Sequence, residues 1–477
     1  MNELILQQRS ILVLLASLSL LLGIGVNILI YQFGFGPLIA GFLIILTSIT
    51  IIASIPIAWL KITRLINKLQ KWHLLWGLLF LSGLTFRIRE AESITENPLD
   101  FAAVFRIGLV GIVGLVLLVF FVFHRRFKYT QAFGGLVGLL TIYSLICIFS
   151  TLWSVYPAFT LYKSTEYLIG VMLIGAILYS FKSDTDFKNL FDWMWLLIGL
   201  VALSVWMSVL LWPDEAIIRG VGLLGVQIKG LFPKVSANGV GDIGAILSII
   251  SFVRIYFTKG LSRQFYFALF IVGLTMLIIS QSRSPLAGFI LAVFVTLFLS
   301  GKAKWLTTLG ISVILLLSFT TLGDYLLQFF LRGQSQELFL SLSGRVYYWT
   351  EALTFVKENP FTGYGAYAAG RFLVAKEFSS TLSSLHGTWP EVLIGVGFLG
   401  LLPLIGAVVG TWFFLFKKPL GNYSILSEQL RLEAIGIMTL LSVRSIFSVS
   451  FIWHPALVWL LVLGYAEFLR RKYKTIT

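Results

Sequence analysis

The sequence predicts an all-α polytopic membrane protein of about 14 transmembrane helices (a range of about 12–14). Hydrophobic residues make up 58% of the 477 residues and charged residues only 12%, whereas soluble domains carry about 25% charged residues. Apolar runs of about 20 residues, the length that crosses the hydrocarbon core, recur along the chain. Because unpaired backbone groups are costly in lipid, we expect these runs to be helices.

Each predicted span follows from one such run, and the runs are separated by short polar linkers. The third and the last of these runs are short. In chain order the spans are Ser10–Tyr31, Gly36–Leu60, Leu74–Phe86, Phe101–Phe123, Gln131–Trp153, Ala158–Phe181, Leu190–Trp212, Ser236–Phe257, Gln264–Ser280, Pro285–Leu299, Trp305–Leu322, Glu391–Phe416, Ala434–Phe451 and Pro455–Leu469.

The distribution of positive charge predicts the orientation. With a cytoplasmic N-terminus and alternating spans, the inner segments hold 21 of the 36 Lys and Arg residues. Three outer linkers, 32–35, 154–157 and 452–454, hold none. This agrees with the positive-inside rule and places both termini in the cytoplasm. The first run lacks a small-residue cleavage site, so we expect a retained span of a bacterial inner-membrane protein rather than a removed signal peptide.

The composition also excludes several classes of protein. A single cysteine, Cys147, forms neither a disulfide within the chain nor a thiolate metal cluster. The four histidines are scattered without an H-x-x-x-H pair, so we expect no metal site. The net charge of +15 is what topology requires of such a membrane protein, so we expect membrane lipids rather than nucleic acid as partners.

We divide the chain into N-terminal transmembrane helices (1–130), central transmembrane helices (131–322), a large periplasmic or outer loop (323–390) and C-terminal transmembrane helices (391–477). Two outer segments, 213–235 and 323–390, are rich in Lys and Arg against the positive-inside rule. Positive charge on this side favours an anionic ligand. The alternative is that long loops translocate regardless of their charge.

The outer loop contains a predicted short helix and a histidine. In SLSGRVYYWTEALTFVKENPFTGYG, apolar residues at helical spacing follow Arg345, and Asn359-Pro360 ends the helix. His386 follows in SSLHGTWPEVLIGVGFLG, just before the next span. An imidazole titrates near neutral pH and can take a proton from a sugar hydroxyl, although a surface hydrogen bond is the simpler interpretation of a lone histidine.

Several motifs together resemble the O-antigen ligase and polysaccharide polymerase superfamily of bacterial envelopes. The ligase pattern H-[NSQ]-x9-G-x-x-[GTY] matches at His386, Gly397 and Gly400, except that Gly387 stands at its second position. SGRVYYW…NPFTGYG, ISQSRSPLAGF and STLWSVYPAFTLYKS resemble other family segments, so the likeness covers roughly residues 130–420. It implies a C-type, glycosyltransferase-like bundle.

The resemblance also implies roles for residues on the outer side. Arg283 and Arg345 would hold the diphosphate of an undecaprenyl-diphosphate-linked glycan, since guanidinium groups bind phosphate bidentately. His386 would be the general base that activates the acceptor, which is lipid A-core or a second lipid-linked glycan. No cofactor or metal is implied. Weaker candidates for the donor site are Arg219, Lys229 and Asn238.

Lys163, Glu166 and Arg444 are charged residues inside predicted spans. Lys163 and Glu166 are spaced as an intramembrane ion pair, or alternatively as part of an ion pathway. Arg444 has no evident partner in the sequence. The resemblance favours a ligase, with a Wzy-type O-antigen or exopolysaccharide polymerase as the alternative. A transporter of an anion or a lipid-linked sugar would use charges near the midplane, and a non-catalytic scaffold would use none.

Overall fold

A computed structural model describes residues 35–84, 91–124, 128–301, 322–379, 382–417, 424–452 and 456–476. The predicted span Ser10–Tyr31, and Trp305–Leu322 apart from its last residue, lie outside the described residues.

The described part of the chain is built mainly of helices, with one small hairpin. The helices are α1 Phe35–Ile66, α2 Lys71–Leu84, α3 Ala91–Glu96, α4 Phe101–Phe123, α5 Tyr129–Ala132, α6 Gly135–Phe149, α7 Pro157–Ser180, α8 Asp184–Leu211, α9 Pro213–Ala216, α10 Ala237–Phe257, α11 Gly260–Ile279, α12 Arg283–Leu299, α13 Leu322–Leu331, α14 Gln336–Leu340, α15 Arg345–Glu358, α16 Lys376–Phe378, α17 Thr388–Phe416, α18 Ile425–Phe447 and α19 Leu457–Ile476. Strands β1 Ile217–Arg219 and β2 Val226–Ile228 pair antiparallel.

The protein is an all-α membrane protein in its architecture. Within the described ranges, eight helices are long and apolar enough to cross a membrane. The count of 14 spans and the C-type glycosyltransferase-like bundle stay predictions. The predicted outer segment 323–390 contains the short helices α13 to α16.

The helices pack through broad apolar faces. α10 lies along α11 and α12 along α18, while α6 packs between α7 and α17. Aromatic side chains such as Trp76, Trp206 and Trp459 are fully buried between them. In contrast, α1 and α4 expose large apolar side chains, among them Ile52 and Val122. This exposure is typical of helix faces that contact lipid.

One predicted span has the wrong start. The prediction Ala434–Phe451 corresponds to α18, which begins nine residues earlier at Ile425 and ends at Phe447. The additional turns are polar, but their charges are paired: Arg431 binds Glu428 at 2.8 Å, and Glu433 binds a neighbouring helix. Hydropathy misses such turns because a charge paired inside a bundle costs less than one facing lipid.

A turn of the outer segment inserts against a break in α17. Gly397 has φ +57 inside this helix, and a Cβ there would overlap the backbone of Phe361. The backbone amides of Tyr364 and Phe398 form hydrogen bonds across the contact, to Ile394 and Pro360 respectively. The turn thereby satisfies groups that the break would leave unpaired in the membrane. The NPFTGYG segment and the glycine of the His386 pattern therefore form one structural unit.

Two ion pairs join α10 to the antiparallel α18 and mark opposite ends of the bundle. Asp242 binds Arg444 with an N–O distance of 2.6 Å, and Arg254 binds Glu433 at 2.8 Å. The two residues of α10 are separated by about 18 Å at 1.5 Å per residue. We refer to these ends as the Arg444 end and the Arg254 end.

Candidate functional site

Four helix termini meet at the Arg444 end of the bundle. The Arg444 guanidinium donates a hydrogen bond to Ser284 in the first turn of α12 (2.5 Å). The guanidinium of Arg345, at the start of α15, lies 5.9 Å from the ring centre of Phe447 at the end of α18. The Thr388 hydroxyl at the start of α17 donates to the Ser448 carbonyl (2.9 Å). The end of α18 is therefore the point around which the predicted site residues gather.

Arg444, which had no evident partner in the sequence, has two in the structure. Its guanidinium pairs with Asp242 of α10 and donates to Ser284. Because Asp242 is 202 positions away, no local pattern links the two. The sequence offered only a general signal, which is that an arginine inside an apolar helix requires a partner or a ligand.

Arg283 begins α12 and reaches the outer segment. Its guanidinium donates to the Leu331 carbonyl and the Gln334 side chain, both at 2.8 Å, and lies 5.1 Å from the ring centre of Phe339. The Nε atom is buried, and no hydrogen-bond partner for it exists among the described residues. The charges of Arg332 and Arg345 also act on this guanidinium. A buried donor without an acceptor is a costly feature that a phosphate oxygen would relieve.

Arg345 begins α15, so two arginines of the site stand at helix N-termini. Neither helix has a side-chain cap, since Ser282 before α12 and Gly344 before α15 form no capping hydrogen bond. The N-terminus of a helix carries partial positive charge and exposed N–H groups. Two such termini, each with an arginine, create a region that favours anions.

His386 lies half-buried immediately before α17. Burial, and then the positive charges of Arg345 and Arg444, lower the pKa of its imidazole from 6.5 to about 4. The ring is therefore neutral at physiological pH and keeps a basic nitrogen. Among the described residues no group is hydrogen-bonded to the ring, so that nitrogen can accept a proton from a ligand. The backbone has φ +51, a strained conformation for a histidine.

The residue before His386 is held on both sides. The Leu385 carbonyl accepts a hydrogen bond from the indole of Trp349 in α15, and its amide donates to the buried carboxylate of Glu391, both at 2.8 Å. The His386 amide donates to the Ser384 hydroxyl (3.3 Å). These contacts fix the strained backbone and thereby the direction of the imidazole. Sequence patterns indicated neither Glu391 nor this use of Trp349.

Gly387 departs from the family pattern for a steric reason. A Cβ at this position would lie 2.9 Å from the side chain of Pro390 and 3.2 Å from the carbonyl oxygen of Ile446. Its φ of −157 is extended, so conformation does not require glycine here. Glycine is required here because the start of α17 closely approaches the end of α18.

The three weaker candidates have different surroundings. Asn238 accepts a hydrogen bond from Ser282 (2.9 Å), the neighbour of Arg283, and therefore borders the site. Arg219 lies on β1 in an exposed ion pair with Asp214 (2.8 Å). Lys229 follows β2, and its amide donates to the Ala216 carbonyl (2.9 Å). Their proposed part in donor binding remains a prediction.

A cavity of about 340 Å³ borders the His386 loop at Ser384 and Glu391. It also reaches Lys163 and Arg106, which both bind Glu166: Lys163 at 2.8 Å, and Arg106 through two hydrogen bonds of 2.6 and 3.0 Å. The predicted Lys163–Glu166 pair is therefore part of a triad. Most of the cavity lining is apolar, contributed by α4 and α7 among other elements.

These features define a class: a polytopic α-helical membrane protein with a cationic site and a neutral histidine at one end of its helices. Residues 267–405 match a family model described as O-antigen ligase (Wzy_C), which supports membership of the O-antigen ligase superfamily. The matched stretch contains Arg283, Arg345 and His386. No curated protein matches the chain. The match supports a ligase- or polymerase-type activity in a membrane protein.

Proposed function

We propose that this protein transfers an undecaprenyl-diphosphate-linked glycan to an acceptor hydroxyl at the outer face of the cytoplasmic membrane. One observation carries the proposal: helix termini with the cationic residues Arg283, Arg345 and Arg444 meet at the end of the bundle where His386 has a neutral imidazole. The cluster has a single acidic partner among the described ion pairs, Asp242 on Arg444. A diphosphate supplies the negative charge that such a cluster lacks.

Arg283 and Arg345 hold the diphosphate of the donor. Both are always charged and offer paired N–H groups, and the unpartnered Nε of Arg283 is one donor for a phosphate oxygen. Their positive charge also stabilises the additional negative charge that the diphosphate acquires when it leaves. Arg444 is compensated by Asp242, so we assign it to positioning the end of α18.

His386 is the general base. The acceptor oxygen attacks the anomeric carbon of the donor glycan while its proton passes to the imidazole. The bond between that carbon and the diphosphate oxygen breaks, and undecaprenyl diphosphate leaves with the bonding electrons. The proton then returns to solvent. Since the cavity borders the loop at Ser384, we expect the acceptor to approach His386 from there.

A polymerase would share this chemistry and differ only in the acceptor, so the assay has to vary the acceptor. The transporter alternative has less support. Its candidate charges are engaged in the structure: Lys163 and Glu166 in the triad with Arg106, and Arg444 with Asp242 at one end of the bundle.

Transfer in reconstituted vesicles tests the proposal. The donor is an undecaprenyl-diphosphate oligosaccharide, and the acceptor is lipid A-core or a second lipid-linked repeat. We expect His386→Ala to lower kcat by about 10² to 10⁴-fold, the range for loss of a general base. The control is His124→Gln, an exposed histidine at the end of α4. Product mass identifies the acceptor.

The arginines have their own variants and control. Arg345→Lys keeps the charge but loses the guanidinium fork, so the donor KM should rise more than kcat falls. Lys357→Gln, an exposed cation on the same helix, should change neither. Unchanged transfer by His386→Ala would rule out the assigned base, and flux of an unaltered glycan across the vesicle would favour a transporter.

A further inference from the structure

A second cavity, of about 460 Å³, lies at the Arg254 end and is unrelated to the site around His386. It is lined by α1, α8, α10 and α11. Since Arg254 contributes to its wall and Arg444 to the other end, the two regions are separated by about 18 Å along α10. Nothing in the proposed transfer reaction uses this cavity.

The cavity has a charged end and an apolar body. Cationic side chains from three helices and from the turn after α1 line the charged end: Lys61, Arg64, Lys68, Lys188 and Arg254. Asp192 is the acid that lines it, and it is already bound by Lys188 (2.5 Å) and Arg254 (2.6 Å). The resulting excess of positive charge attracts an anion.

Two of the cations have no counter-charge among the residues that the structure describes. Among the described residues neither Arg64 nor Lys68 forms an ion pair, and both are exposed. Lys61 is held in place, since its ammonium donates to the Ser262 hydroxyl (3.2 Å) and lies 4.6 Å from the ring centre of Tyr266. The charged end therefore combines the ordered ammonium of Lys61 with two exposed cationic groups, the guanidinium of Arg64 and the ammonium of Lys68, that can close on a ligand.

The apolar body has the length of a lipid chain. Its α1 wall runs from Lys61 to Ile51, about 15 Å at 1.5 Å per residue. Half of a hydrocarbon core about 30 Å thick has this depth. Ile55 on α1 and Leu200 on α8 are 56% and 51% exposed, so the cavity is open to the surrounding lipid between these helices. A soluble phosphate compound would occupy only the charged end and leave the apolar body unfilled.

We infer that this cavity binds an anionic glycerophospholipid of the leaflet opposite His386. Its phosphate lies among Lys61, Arg64 and Lys68, and one acyl chain occupies the groove between α1 and α8. Basic pockets between membrane helices recognise anionic headgroups in this manner. The lipid would bind α1, which otherwise packs mainly on α11 and α8, to the rest of the bundle.

Lipid retention by the purified full-length protein tests the charged end. The protein is placed in bilayer discs of phosphatidylethanolamine with about a quarter of phosphatidylglycerol or cardiolipin, and the retained lipid is measured by native mass spectrometry. Each cation contributes about fivefold, so Arg64→Gln/Lys68→Gln should bind anionic lipid about 25-fold more weakly. Lys259→Gln/Arg263→Gln removes the same charges from the same end but outside the lining, and should bind as the wild type does.

A second pair of variants tests the apolar groove without changing charge. Gly199 lines the cavity, and a Cβ there would meet no atom within 4 Å, so Gly199→Trp fills the groove. Gly111→Trp on α4 also enters open space but lies outside the cavity, and serves as the matched control. We expect Gly199→Trp to lose lipid retention and Gly111→Trp to keep it.

Two outcomes would overturn the proposal. Equal loss of lipid in both double variants would show that surface charge alone attracts the lipid. Retention by Gly199→Trp together with competition by inorganic phosphate would show a site for free phosphate instead of a lipid. Transfer activity is not part of either readout, so the inference stands or falls independently of the function proposed for His386.

Discussion

The pH dependence of glycan transfer should report the lowered pKa of His386. The depression from 6.5 to about 4 corresponds to about 3 kcal/mol in favour of the neutral ring. At pH 7 only about one imidazole in a thousand is then protonated, compared with about one in four for an ordinary histidine. The proposed base is therefore unprotonated at neutral pH, and kcat/KM should stay level on acidification until the pH approaches 4.

The variant Arg345→Gln separates the causes of this shift. Removing one of the two positive charges that act on His386 should raise its pKa, although burial, the largest cause, remains. The acid limb of kcat/KM should therefore move upward from about 4 toward 6.5. Loss of the proposed phosphate contact should lower kcat/KM at every pH but should not shift the acid limb of the profile. Lys357→Gln on the same helix should leave both unchanged.

The assay is kcat/KM in vesicles between about pH 3.5 and 8, with return to neutral pH as the check for irreversible loss. An acid limb at 6.5 in the wild type, or a downward movement in Arg345→Gln, would refute the reasoning. Stability follows the same linkage. Below pH 6.5 the unfolded chain binds a proton that the folded His386 resists, so the free energy of unfolding should fall as the pH falls from 6.5 to about 4.

Three further predictions concern the structure around the site. Gly397→Ala should cost about 3 kcal/mol or more in detergent unfolding, since it combines a positive φ with backbone overlap, whereas Gly108→Ala enters open space and should not destabilise the protein. Asp242→Asn or Arg444→Met alone should each cost about 3–5 kcal/mol by leaving a charge uncompensated, and the double variant should recover part of this loss. Gly387→Asn restores the usual family residue but should lower kcat by displacing the loop, with unchanged transfer as the contrary result.

Local sequence patterns predicted the elements whose causes are local. The span Phe101–Phe123 has the predicted bounds because it is an uninterrupted apolar run that begins after Asp100, whose side chain caps it. The helix beginning at Arg345 ends at Glu358, as expected from the Asn-Pro that follows. In both cases the signals that determine the helix ends lie within a few residues of it.

The features that the sequence did not reveal depend on distant contacts. The polar start of α18 is stable only because Arg254 of another helix meets Glu433. Gly387 is explained only by the nearby carbonyl of Ile446. Hydropathy describes each residue as if it faced lipid, and therefore cannot identify a charge that is neutralised across the bundle.

The distribution of compensating charge assigns different tasks to the arginines of the site. Arg444 forms an ion pair with Asp242 at 2.6 Å, so its charge is largely neutralised inside the protein. Replacing Arg444 should therefore first lower the stability of the protein. Among the described residues, Arg283 and Arg345 form no ion pair, and each stands at the start of a helix whose N-terminus adds positive charge. Their charge remains available to a ligand. In the proposed reaction the neutral imidazole takes a proton while these two groups stabilise the departing diphosphate, so that acid–base and electrostatic tasks would be carried by different side chains.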